Sequence, residues 1–198
     1  MKMSDHNQVQ RLQEILLQND DIQKILQRTP ELDMPNWYLG AGGIAQTVWN
    51  VLHGYDPRRG IKDYDLVYYD AGDLSYEGED VFIQKGAELF KDLSAPVEIR
   101  NQARVHLWYE KHFGYPVNPY ESAEDAIATW PTTATCIGVR NDAGKCIVCA
   151  PHGVEDIFAM IVRPNKVRVS KEVYEGKVSR WKEVWPKLKI IPWEREKR

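Results

Sequence analysis

Cysteine is scarce in this chain, at three residues in 198, and no apolar run approaches the roughly 18 residues that a membrane-crossing helix requires. The opening Met1-Lys2-Met3-Ser4-Asp5 lacks the apolar core of a secretory leader. Both point to a soluble, cytoplasmic protein with no membrane partner. Cys136, Cys146 and Cys149, with His152 near them, raise a zinc knuckle as an option. Cys146-Ile147-Val148-Cys149 reads instead as a strand, in which residues three apart face opposite sides, whereas a knuckle needs a tight turn between its cysteines. Reduced, buried thiols are expected. There is also no long Gly/Ser- or Pro-rich linker, so residues 1–198 read as one domain, with a helical extension over 1–30 and a C-terminal helix and tail over 166–198.

A large excess of one sign of charge is missing too. The net value is −3, and no basic arm stands out, so nothing here gathers a polynucleotide without specificity. Local clusters do occur: Arg58, Arg59 and Lys62 precede an acid pair, and Arg100 and Arg104 follow a later acid. That pattern suits a small polyanion such as a nucleotide.

The acid pair is Asp63-Tyr64-Asp65. Residues two apart in a strand share a face, so both carboxylates project together and Tyr64 goes to the other side. Such a pair attracts a divalent cation. Phosphatases with an aspartate nucleophile and many Asp-x-Asp sugar transferases carry their acids after an apolar strand. In this chain the loop Pro57-Arg58-Arg59-Gly60-Ile61-Lys62 comes first and the apolar run Leu66-Val67-Tyr68-Tyr69 follows. The acids sit at the strand's entrance, which argues against both classes.

Helical spacing of Val9, Leu12, Ile15, Leu16, Ile22, Ile25 and Leu26 predicts an N-terminal helical pair, with Asn19-Asp20 ending one helix and capping the next. Trp37-Tyr38-Leu39 predicts a strand that breaks at Gly40, and 44–53 a helix, so Gly40-Ala41-Gly42-Gly43 forms a strand-to-helix turn. Further helices are expected over 76–93, with Val81, Ile83, Ala87, Phe90 and Leu93 inward, and over 103–112, behind a strand at Val97-Glu98-Ile99. Ser122 caps a helix that stops before Pro131, Asn141-Asp142-Ala143-Gly144 marks a hairpin, and 154–162 reads as an apolar helix. Helix, then a frayed end through Arg198, completes the chain. Trp37, Trp49, Tyr68 and Tyr69 are expected in the core. The sum is an α/β (α+β) fold: a mixed, twisted sheet with flanking helices.

Strand, glycine turn, helix, a strand opening on two acids and a later strand carrying Glu98 is the order of parts in the polymerase-beta-like nucleotidyltransferase superfamily. The chain resembles a small, largely uncharacterised bacterial branch of it through Gly42-Gly43, Trp49-Asn50, Asp63-Tyr64-Asp65, Glu98-Ile99-Arg100-Asn101-Gln102-Ala103-Arg104-Val105-His106, Trp130-Pro131 and Ala150-Pro151-His152-Gly153. The likeness runs from about Trp37 to Asn165. It implies transfer of a nucleoside monophosphate from an NTP to an acceptor hydroxyl, on a small molecule, a protein or an RNA end. Asp63, Asp65 and Glu98 would be the catalytic and metal-binding acids, holding Mg²⁺ or Mn²⁺. Gly42, Gly43, Lys62, Arg104 and His106 would contact the nucleotide, with Arg58 a further candidate for the phosphates. Two departures stand out: Gly43 occupies the place where the superfamily usually has a Ser, and the gap from the turn to Asp63 is long.

Each of these residues also has a plainer reading. The glycines permit close packing, Asn101 and Gln102 cap a helix, and His106 sits satisfied in an apolar stretch. A catalytically inactive nucleotide-binding or regulatory protein on the same fold is the second reading of the whole, and a partner-binding module with decorative acids the third.

Overall fold

The computed structural model describes residues 4–194 except Ala143. The expected C-terminal fraying at 195–198 lies outside the described residues, as does the segment Met1–Met3. The N-terminal pair is present as α1 (Ser4–Leu16) and α2 (Asp20–Arg28). Asn19 caps α2, its side chain accepting from the amides of Asp21 and Ile22. The same side chain donates to Thr47 Oγ1 at 2.9 Å and meets the Tyr64 hydroxyl, so the cap also ties the extension to the centre of the fold.

Strand β1 (Tyr38–Gly40) leads directly into α3 (Ala41–His53). Next come β2 (Tyr64–Tyr68), α4 (Tyr76–Leu89), β3 (Val97–Asn101), one 3-10 turn at Gln102–Arg104, and α5 (Val105–Phe113). Helix α6 (Ala123–Ala128) precedes the hairpin β4 (Gly138–Asp142) and β5 (Lys145–Cys149). The five strands form one mixed sheet in the order β3-β2-β1-β4-β5, in which only the β2–β3 pair is parallel. Alternation sorts its faces. Leu39, Leu66, Ile99 and Val139 enter the main core with α1, α2 and α3, while Tyr38 and Val67 pack under α6 with Trp130.

Three expectations are corrected. Helix α4 ends at Leu89, and Val81 and Ala87 on it face solvent; Phe82 turns inward instead, edge-on to Tyr68. Residues 154–162 are not one helix: α7 covers Glu155–Phe158 only, and β6 (Ile161–Val162) follows. After α8 (Lys171–Val184) the chain forms β7 (Lys189–Ile190), parallel to β6, where helix and frayed end were expected. Two-residue strands leave no periodicity to read.

Of the thiols expected to be buried, Cys136 is buried and Cys146 and Cys149 are partly so. Cys146 packs on the main core and Cys149 on the α6 side, opposite faces of β5, and burial pushes the thiols of Cys136 and Cys149 up to about 11. Trp37, Trp49 and Tyr68 are buried, while Tyr69 is partly exposed and donates to the Tyr120 carbonyl at 2.9 Å.

Trp49-Asn50 has a structural role. The Asn50 amide donates to the carbonyls of Pro57 (2.9 Å) and Arg59 (2.8 Å) and accepts from the Trp185 indole (2.7 Å), all in the interior. Trp49 packs edge-on to Trp181 and Trp185 of the C-terminal segment. One short side chain therefore holds the loop that leads to Asp63 against the end of α8.

Candidate active site

The register of the sheet assembles the site. Asp65 stands opposite Gly40 of β1 on one side and opposite Glu98 of β3 on the other, so all three lie on the α6-facing surface. Asp63 precedes β2 by one residue and shares Asp65's parity. Tyr64 between them goes the other way, fully buried, its ring packed against Gly43. The sequence placed both acids at the strand's entrance; β2 in fact begins at Tyr64, so Asp65 is a ladder residue and its backbone is held on both sides.

Gly40 is required by packing. A Cβ there would lie 2.6 Å from the Ile137 carbonyl oxygen and 2.7 Å from the Trp130 ring. At Gly43 a Cβ would meet the Tyr64 ring at 2.8 Å, whereas at Gly42 it would meet only the flexible end of Gln46. The chain changes hand between β1 and α3, with Ala41 at φ +52°, a left-handed conformation that L-residues occupy at a cost. The Ala41 amide is taken by the Ile137 carbonyl at 3.0 Å. Gly40 has no side chain to cap α3, so the Gly42 and Gly43 amides, in its first turn, have no acceptor within the helix. Gly40→Ala is expected to shift β1 or Trp130 and lower the melting temperature, because the nearest obstacle is backbone; Gly42→Ala should leave it nearly unchanged. Paired thermal melts of the two variants test this.

Burial raises the pKa of Asp65, and the neighbouring carboxylates of Asp63 and Glu98 raise it further, to about 7, against the opposing pull of Lys177 and Arg100. Glu98 is half exposed and leans toward Arg100, with its oxygen 3.8 Å from the guanidinium. In this conformation no three acidic, imidazole or thiol groups among the described residues are gathered tightly enough to hold an ion. The donor set still suits one: oxygen ligands of one sign, crowded enough to keep a proton on Asp65 near neutrality, match the chemistry of Mg²⁺ or Mn²⁺.

The raised pKa has a consequence for stability. Unfolded, Asp65 ionises near pH 4, but folded it holds its proton to about pH 7, so the native state binds more protons in between. Stability of the metal-free protein should therefore fall as pH rises from about 4 to about 7 and level off above. Asp65→Asn should flatten that slope. Urea midpoints with chelator between pH 4.5 and 8 measure it, and an unchanged slope in the variant would refute the assignment.

Of the nucleotide-contact candidates, Lys62 is brought to the site, lining with Asp63, Gln46 and Arg180 a cavity of about 100 Å³. Arg58 is turned to Asp56, its backbone amide 2.9 Å from that carboxylate. Arg104 and His106 are not gathered with the acids. They lie past Asn101, at the far end of β3 from Glu98, about 10 Å along a strand that rises ~3.3 Å per residue. Arg104 is buried, ion-paired with Glu79 and donating to the Leu74 carbonyl at 3.0 Å; the His106 Nδ1 is buried without a hydrogen bond.

The Asn101–Arg104 run works as a clamp. Asn101 accepts from the Asp70 and Ala103 amides and donates to the Asp70 and Asp73 carbonyls, while its own amide donates to Glu79 at 2.7 Å. Loop 70–75 and α4 are thereby fastened to β3. Besides Lys62 and Arg100, two cations of α8 face the acids. Lys177 acts on Asp65, and Arg180, three residues on, borders Asp63. Sequence reasoning passed over them because α8 announces only its apolar face, through Tyr174, Val178 and Trp181.

Two comparisons bear on this geometry. A solved structure, described as revealing a CCA-adding enzyme head domain by NMR, is similar to this chain with a TM-score of 0.75 and 27% identity, covering 92% of this chain and 95% of the other. No curated protein matches the chain. A family profile described as nucleotidyltransferase matches residues 27–190, from the end of α2 to β7, and on that span the chain belongs to the nucleotidyltransferase family.

Proposed function

We infer that the protein is a metal-dependent nucleotidyltransferase that moves a nucleoside monophosphate from an NTP to an acceptor hydroxyl and releases pyrophosphate. The observation that carries this reading is the ladder register: Gly40, Asp65 and Glu98 side by side, with Asp63 at the same edge and the glycine turn leaving from it. Asp63, Asp65 and Glu98 would hold the divalent ion, the half-exposed Glu98 turning from Arg100 to complete the set. A bound ion supplies charge neutralisation for the phosphates and acidifies the attacking hydroxyl.

The chain's own groups do the rest. The amides of Gly42 and Gly43, at the positive end of α3, point at a phosphate oxygen and fill the role that a Ser side chain would share. Lys62 and Lys177 offset charge on the departing pyrophosphate. Glu98, the most accessible of the three acids, accepts or relays the acceptor's proton.

Incubation with α-labelled NTPs, Mg²⁺ and cell extract is expected to transfer label to an acceptor, with chelator abolishing it. A second reading, nucleotide binding without turnover, draws on Gly43 in place of Ser and on an acid set that is open as it stands. It would be favoured by NTP binding with no label transfer to any fraction.

A further inference from the structure

A cavity of about 220 Å³ lies between α5, residues 115–131 and the start of α8, and of its lining only Lys177 enters the mechanism above. Four of its walls are Tyr109, Phe113, Tyr115 and Tyr120, and Trp130 forms a fifth. The walls are braced: the Tyr109 and Tyr115 hydroxyls both donate to the Arg168 carbonyl (2.5 and 2.6 Å), and the Tyr120 hydroxyl shares a 2.6 Å hydrogen bond with Thr129. A slot with fixed aromatic faces is built for a flat ring.

Its charge narrows the choice. The Arg168 guanidinium sits over Tyr120, its carbon 4.0 Å from the ring centroid, and one of its nitrogens is buried without an acceptor. Among the described residues neither Arg168 nor Lys177 forms a salt bridge, and no Asp or Glu lines the cavity. Lys177 is partly offset by Asp65, but Arg168 leaves a positive group on the wall, so a cationic ligand would be disfavoured and an anion-bearing one drawn in.

Position decides which ligand. The cavity meets the catalytic edge at Trp130, packed on Gly40 where the glycine turn departs, and at Lys177, one turn before Arg180, which lines the adjoining cavity with Asp63. Glu98 is not among its lining residues. At 220 Å³ it falls below the roughly 300 Å³ of a pocket for a drug-sized molecule, leaving room for one ring system. We propose that this cavity seats the nucleobase of the donor NTP, with Lys177 contacting the phosphate chain where it passes toward Asp65. The inference rests on the nucleotidyltransferase reading of the acids.

The test uses the full chain with Mn²⁺, the four NTPs and the matching nucleosides, read by calorimetry and by saturation-transfer NMR. Val173→Trp fills the cavity, and Phe113→Ala removes a wall at a residue 37% exposed, where folding tolerates the change. Both should weaken the preferred NTP and its nucleoside at least about tenfold, the loss expected when a base forfeits an aromatic face. Lys177→Gln should weaken the NTP by a similar factor and leave the nucleoside unchanged, and Mn²⁺ affinity should not drop in any of the three. Wild-type protein that binds an NTP while Phe113→Ala and Val173→Trp bind it equally well would overturn the base seat and leave the catalytic reading standing. A wild type that binds no NTP at all would remove both.

Discussion

Asp65→Asn, alone or with Asp63→Asn, should lower nucleotide transfer by about a thousandfold. The ion that these acids would hold contributes several kcal/mol of charge stabilisation in the transition state, and each 1.36 kcal/mol is a factor of ten in rate. What makes the result diagnostic is the sign of the accompanying change in stability. Asp65 is crowded by Asp63 and Glu98 and partly buried, so neutralising it relieves repulsion at pH 8 in the metal-free protein. The variant should be nearly inactive and at least as stable as wild type. Label transfer from α-labelled NTP, set beside a urea midpoint in chelator, reads both. Transfer at the wild-type rate in the double variant would show that these acids are not the catalysts, whatever the fold.

Glu79→Ala is expected to produce the largest loss of stability. Its carboxylate is the partner of Arg104 and also accepts the Asn101 amide at 2.7 Å, and both side chains of the ion pair are nearly inaccessible, at 6% and 11%. Removing one member of a buried pair leaves the other charge desolvated, at a cost of about 3–5 kcal/mol. For a chain of this size that corresponds to a drop of roughly 6–20 °C in melting temperature. The control is the double replacement Glu79→Leu with Arg104→Met, which removes both charges and should recover most of the loss. If Arg104 instead served the phosphates, Glu79→Ala would spare stability and alter NTP affinity. A melting curve and an NTP titration on the same sample separate the two roles.

The pair also shows how motif and mechanism can part company. Asn101 to Arg104 is the most distinctive run in the chain, and its resemblance to a nucleotidyltransferase branch pointed to the right family. It does so as architecture: Asn101 caps the turn that follows β3, as the plainer reading had it, and Glu79 reaches from α4 to meet Arg104. Trp49-Asn50 is similar, a clamp on the loop before Asp63. A run that fastens three segments together is as recognisable in sequence as one that touches substrate, because in both cases several specific hydrogen bonds depend on it.

Local signals were sufficient wherever one element explains itself. The Asn19 cap, the glycine turn into α3, the Ser122 cap and the hairpin near Asn141 were all legible, since each depends on neighbours within a few residues. Val81 and Ala87 were misassigned because α4 buries only a narrow stripe against β3, and a weak pattern admits two phases. The β6–β7 pair left no mark because its two strands are two residues each and nearly thirty positions apart in the chain.

From residues alone came the period-2 spacing that puts Asp63 and Asp65 on one face, the turn beside them, and the choice of Glu98 as a third acid. Local backbone geometry imposes the spacing and the turn, whereas Glu98 was implied by the family resemblance. Only the tertiary structure decided that Glu98 stands across from Asp65, that Trp130 closes on Gly40, and that α8 lays Lys177 and Arg180 along the acids. Those neighbours are separated by tens of residues, and their meeting is set by which strands pair and which helix faces pack. That free energy belongs to the whole core and is written in no single segment.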